Sequence, residues 1–240
     1  MNQWKNETDN FLIVKPVTTL QELSINLCIK EPSSISFSFD ALKQNNIIPS
    51  DWEVSHSSSA TNELIQFIFT NGIRIINQGN SLTFIEPFIS QKSAGMRIAS
   101  IAHKYVNVFS HIKYEAVNTN IRSFIGFESS VTSNKELVHQ YIVTLLSHEK
   151  CFTSELKPIT VVIDLVYIFE QVQLYFKIKE VELNLSNNQV FPSLLFTGII
   201  PHKIELNSTP EKLQLLHFID SWEKDLNVYL KVLNNFLHQP

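Results

Sequence analysis

Residues 63–86 read ELIQFIFTNGIRIINQGNSLTFIE, three apolar runs parted by Asn71-Gly72 and Gln78-Gly79. Asn-Gly is the strongest short-range hairpin signal, because a two-residue type I′ turn needs positive φ at both central positions. Folding the chain there sets Phe69 against Arg74, Ile68 against Ile75 and Phe67 against Ile76. Phe67, Phe69 and Ile76 then share one face, and Ile68, Ile73 and Ile75 share the other. Gln78-Gly79 makes the second turn and returns Leu82 and Phe84 to the Ile75 face. A meander that is apolar on both sides must be covered on both sides, so the stretch predicts a wall between two layers.

Working outward, Leu23, Ile25, Leu27 and Ile29 alternate with Ser24, Asn26, Cys28 and Lys30, the pattern of a strand with one wet face. Ile35, Phe37 and Phe39 alternate with serines and predict another strand. Residues 41–51 read as a polar connection with at most one helical turn. Residues 94–109 predict a helix, with Ile98, Ile101, Ala102, Tyr105, Val108 and Phe109 on one stripe and Ser93 as N-cap. A long strand from Tyr114 to Phe127 points Val117, Thr119, Ile121, Ser123, Ile125 and Phe127 one way. Asn118, Asn120 and Arg122 point the other. Ser133 and Glu136 form a capping box that opens a second helix to about His148. Strands follow over Thr160–Phe169, Val172–Leu185 and Phe191–Leu206. A phase slip near Lys179-Glu180 predicts a bulge in the second of them. Ser208 or Thr209 then caps a last helix, with Pro210 in its first turn.

These elements predict an α+β fold of antiparallel meander sheets covered by about three helices. Residues 63–110 and 159–237 share the order strand, strand, strand, helix, so two similar β-β-β-α halves are expected. The seam is placed near residues 128–132, giving regions 1–128 and 129–240, or one compact domain.

Composition bounds the function. The 240 residues are 44% hydrophobic and 18% charged, with 17 Phe, so much apolar surface must be hidden in the fold or an interface. A net charge of −4, with no cluster of Lys or Arg beyond a pair, argues against nucleic-acid binding. The polar N-terminus lacks an apolar signal core, and no run of about 18 apolar residues exists to cross a membrane. Cys28 and Cys151 have no Cys or His at metal-ligand spacing and read as free thiols in a reducing compartment. A cytoplasmic protein with no membrane contact is the expectation.

In the last helix, Leu215, Ile219, Trp222, Leu226, Tyr229, Leu233 and Phe236 step by four and three in strict alternation. That 3.5-residue repeat suits lengthwise packing on another helix. Two readings stay open: the stripe packs on the chain's own sheet, or it meets the same helix of a second copy.

Signals for chemistry are few. The five glycines form no phosphate-cradling pattern and no Gly-x-Ser-x-Gly elbow. The eight histidines never pair at i, i+3 or i+4, so local spacing predicts no metal, and no cofactor is expected. Asp164 sits inside VVIDLVYI, residues 161–168, a run that otherwise reads as buried. A carboxylate there needs a partner. If its strand neighbours the one carrying Asn118, Asn120 and Arg122, Arg122 neutralises it. The four residues then make a structural pair or the floor of a polar pocket. No second carboxylate stands at a defined spacing, so acid–base catalysis is not supported.

The sequence therefore predicts a non-enzymatic interaction or adaptor protein, forming a homodimer or meeting another protein through its C-terminal helix. The alternative is a small-molecule binding protein or enzyme with its pocket near Arg122 and Asp164.

Overall fold

A computed structural model describes residues 15–30, 37–55, 59–60, 64–88, 95–128, 134–145, 161–184, 190–205 and 209–237. Its elements in chain order are β1 (Lys15–Ile29), α1 (Phe39–Gln44), β2 (Ser59–Ala60), β3 (Leu64–Ile68), β4 (Arg74–Gln78), β5 (Ser81–Phe88), α2 (Ile98–Val108), β6 (Tyr114–Glu128), α3 (Asn134–Leu145), β7 (Val162–Phe169), β8 (Val172–Asn184), β9 (Val190–Lys203), α4 (Glu211–Asp220) and α5 (Trp222–Leu237). The fold is α+β, with five helices among the described residues where about three were expected. All nine strands, counting the two-residue β2, join one antiparallel sheet in the order β2-β3-β4-β5-β1-β6-β9-β8-β7. The longest strands, β1 and β6, pair at its middle. Outward from them the sheet runs β5, β4, β3 and the short β2 on one side and β9, β8, β7 on the other.

One face of the sheet holds the core. It gathers Leu23, Ile25 and Leu27 from β1, Ile75 from β4, Leu82 and Phe84 from β5, Val117 and Ile121 from β6, Phe176 from β8 and Phe196 from β9, all buried in one cluster with the helices. Tyr105 of α2 lies on Phe84, Tyr141 of α3 on Phe127, and Tyr229 and Phe236 of α5 on Phe176. Gly198 lets α5 come down onto β9, since a Cβ there would overlap the Tyr229 ring. Each such aromatic contact adds roughly 0.5–1.5 kcal/mol beyond its area burial.

The meander departs from the expected register by one residue, and the reason lies in its first turn. Phe69 pairs with Ile73 across three residues, Thr70-Asn71-Gly72, rather than two. Only Gly72 takes positive φ, 85°, while the Asn71 side chain accepts from the Ile73 N–H at 3.1 Å. That is the three-residue hairpin with a left-handed glycine, not the type I′ turn. Phe67 consequently faces Ile75, Ile68 faces Arg74 and Gln66 faces Ile76. Because a one-residue slip exchanges the two faces of a strand, Phe67, Phe69, Ile73 and Ile75 all turn to the core. Ile68, Arg74 and Ile76 turn to the other side. One apolar face needs one covering layer, and among the described residues all helices lie on that side. The second turn is as expected, with Gly79 at φ 57° and Leu82 and Phe84 on the Ile75 face.

Other elements also differ from expectation. Phe39 opens α1 instead of continuing a strand, because Ser38 caps the helix by accepting from the Ala41 N–H at 3.1 Å. Residues 31–36 lie outside the described residues, as do Ser93, Ser133 and Ser208. The start of α2 is held by Glu86 of β5, a buried carboxylate that accepts from the N–H groups of Arg97 and Ile98 at 2.7 and 3.2 Å. Its charge suits the positive end of the helix dipole. The ladders from β8 run without a register shift, so no bulge stands at Lys179-Glu180.

The final helix is divided in two. Ser221, at φ −77° and ψ 0°, separates α4 from α5, although Ser221 N–H to His217 O and Asp225 N–H to Ser221 O carry the i to i−4 pattern across it. Ser221 Oγ donates to the Phe218 carbonyl at 2.8 Å, the kind of back-bond that bends helices. Pro210 occupies the N-cap with no side-chain bond. Among the described residues no helix is long and apolar enough to cross a membrane.

Candidate functional site

The face turned away from the helices is built from the alternate residues of every strand. The pairing fixes its grid. One row crosses the sheet as Ile68, Arg74, Ile85, Ser24, Asn120, Ile199, Tyr175 and Val166. The next begins with Pro87 and runs Glu22, Arg122, Thr197, Lys177 and Asp164.

Over β4, β5, β1 and β6 this face sinks into a depression of about 280 Å³, lined by Glu22, Ser24, Arg74, Ile76, Gln78, Thr83, Ile85, Asn120 and Arg122. Its polar groups divide into two sets. In the first, Arg74 pairs with Glu22, and Asn26 donates to Ser81 and Thr83, so cross-strand neighbours satisfy one another. Asn118 belongs with them, donating to Asn26 Oδ1 at 3.4 Å and contacting Cys28 Sγ at 3.3 Å. The Cys28 thiol is pushed above its ordinary pKa by burial first and by the nearby Glu115 charge second, with the Asn118 bond pulling the other way. In the second set stand the Asn120 amide and the Arg122 guanidinium. Neither has a hydrogen-bond or ion-pair partner among the described residues, and Arg122 is exposed. They lie two residues apart on one strand, hence about 6.6 Å apart along it.

Of the residues singled out in the sequence, Asn120 and Arg122 thus share a depression with Asn118 beside it, and Asp164 does not join them. β9 and β8 stand between β6 and β7, which places Asp164 roughly 14 Å from Arg122 at about 4.8 Å per strand. The predicted pair does not form; Lys177 takes Asp164 at 3.1 Å, with the carboxylate side chain 65% exposed. The 161–168 run reads as buried because Val, Ile and Tyr fill both faces, but β7 is an edge strand whose Val162, Asp164, Val166 and Ile168 are exposed. Sequence reasoning missed Glu22 and Arg74. The wet face of β1 was visible in its alternation, but which strands flank it was not.

The C-terminal stripe is spent inside the chain. Leu215, Ile219, Trp222, Leu226, Tyr229 and Leu233 are all buried, and Phe236, half-buried, stacks on Phe176 at 5.4 Å. Among the described residues three histidines face a carboxylate: His202 Nε2 meets the buried Asp225 at 2.8 Å, His139 meets Glu180 at 2.9 Å, and His103 lies 3.5 Å from Asp220. Among the described residues no group of three or more His, Cys, Asp or Glu is placed to hold a metal. No protein-family model matches the chain, and no curated protein matches its sequence.

Proposed function

We infer that this is a non-enzymatic binding protein that receives its partner or ligand on the open face of the sheet. The observation that carries the reading is where the exposed apolar residues lie. Of the nine large hydrophobic residues exposed in the described structure, six belong to that face: Leu20, Val162, Val166, Ile168, Tyr175 and Ile199. Ile199, Tyr175 and Val166 are consecutive cross-strand neighbours. Contiguous exposed apolar surface beside polar groups marks binding sites more often than isolated side chains do. A fragment screen read by amide chemical shifts tests this. Hits are expected to perturb β1, β6, β9 and β8; hits confined to the outer surfaces of α2 to α5 contradict it.

A second reading, self-association, is favoured by β7. Among the described residues nothing pairs with its outer edge, and Val162, Val166 and Ile168 are exposed along it. An open strand edge is a template for another strand. Under this reading a homodimer forms by the edge, not by the C-terminal helices. Light scattering should then show a mass that rises with concentration and returns to monomer in Val166→Lys. A constant monomer mass contradicts it. The mirrored strand order about β1 and β6 also supports two like halves, divided between α2 and β6 rather than near residues 128–132: β1 to α2, then β6 to α5.

A further inference from the structure

We propose that the depression around Arg122 binds one carboxylate of a small ligand with an apolar stem. This rests on the open face being the working surface and names the chemistry it selects. Asn120 and Arg122 offer donors that nothing among the described residues uses, and Ser24, between Asn120 and Ile85 in the row, makes only a 3.4 Å bond to the Asn120 carbonyl. A guanidinium fork receives a carboxylate by two parallel N–H bonds, and the flanking amide adds a further donor.

Charge selects within the anions. The lining holds two guanidinium groups, Arg74 and Arg122, and one carboxylate, Glu22, already paired with Arg74. One positive charge is left over, which a monoanion neutralises. A dianionic phosphate would set its second charge against Glu22, the direct cross-strand neighbour of Arg122. Size and polarity select further. About 280 Å³ lies just under the range of roughly 300–1,000 Å³ for drug-sized ligands, so the stem is short. Ile76 and Ile85 give it an apolar wall.

The test is a titration of the ¹⁵N-labelled protein with hexanoate, hexylamine and inorganic phosphate, followed by amide shifts. Saturable binding of hexanoate is expected, with perturbations centred on residues 22–24 and 120–122. Phosphate should bind more weakly and hexylamine not at all. Arg122→Gln should weaken hexanoate about tenfold or more, and Arg122→Lys, which keeps the charge but not the fork, should fall between. Both substitutions are at an exposed side chain, and an unchanged spectrum away from β1 and β6 confirms the fold; Asn120→Ala gives an independent reading of the same site. Hexanoate affinity indifferent to Arg122→Gln, or phosphate preferred to hexanoate, overturns the carboxylate site. Perturbations at Tyr175 and Val166 but not at Asn120 overturn it while leaving the open-face reading standing, and perturbations confined to the helices overturn both.

Discussion

The two wings of the sheet share one kind of core and differ on the opposite face. Beneath the helices, Phe84 on one wing and Phe176 on the other are each buried and each touch an aromatic ring from a helix. On the open side, the wing of β3, β4 and β5 joins β1 through Arg74–Glu22 and the Asn26 bonds to Ser81 and Thr83. The wing of β9, β8 and β7 instead exposes Ile199, Tyr175, Val166 and Ile168, interspersed with Gln173, Lys179, Thr197 and the solvated Lys177–Asp164 pair. Burial requirements force the covered faces to be alike. Nothing in the packing forces the open faces apart, so their difference is the better guide to what the molecule meets.

The comparison breaks most violently at the C-terminal helices. Leu226→Glu puts a charge into the core at a position 3% exposed, and the protein should fail to fold, as circular dichroism would show. A folded monomer carrying that substitution would mean the stripe is an external surface. Phe176→Ala and Phe84→Ala should each cost about 3–5 kcal/mol in urea unfolding. Values differing by much more than that spread would show that the two wings are not equivalently packed.

A smaller effect is expected from pH. Burial holds the hydroxyls of Tyr105, Tyr114 and Tyr229 protonated well above the ordinary tyrosine pKa. The unfolded chain releases these protons near pH 10, so above that point the folded state binds more protons and stability falls as pH rises. Each tyrosine contributes up to about 1.4 kcal/mol per pH unit. The urea midpoint should be insensitive to these groups below about pH 9 and drop between about pH 10 and 11. Tyr167 and Tyr141 are raised by the same cause. The smallest effect belongs to the open face: Asp164→Asn removes an exposed pair and should change stability by at most about 1 kcal/mol. A loss of several kcal/mol would mean Asp164 is buried after all.

Much of the fold is legible where information is local. The alternation over 23–29 and 117–127 and, in the stripe of α2, Ile98, Ile101, Ala102 and Tyr105 gave elements and core faces that the structure bears out, whereas Val108 of that stripe is exposed and Val106 is buried instead. Three features were not legible, each for a non-local or geometric reason. Asn71-Gly72 is compatible with both a two- and a three-residue turn, and choosing between them exchanges the faces of β4. Asp164 looks buried because an edge strand and a central strand carry the same β-branched residues; only the sheet order separates them. Ser221 interrupts the last helix, its hydroxyl bonded back to the Phe218 carbonyl, which a heptad count cannot register. The candidate site was half visible: Asn120 and Arg122 stand out on β6, whereas Glu22 and Arg74 become its neighbours only through pairings of β1 with β6 and of β1, through β5, with β4.

The central claim, that one face of this sheet is core and the other is surface, is tested most directly at two adjacent residues of β8. Tyr175 and Phe176 differ by one position, one at 43% exposure and the other at 1%. Thermal unfolding of Tyr175→Lys should match the parent protein within a few degrees, while Phe176→Lys should abolish the cooperative transition. Equal losses from the two substitutions would contradict a sheet covered on one side alone.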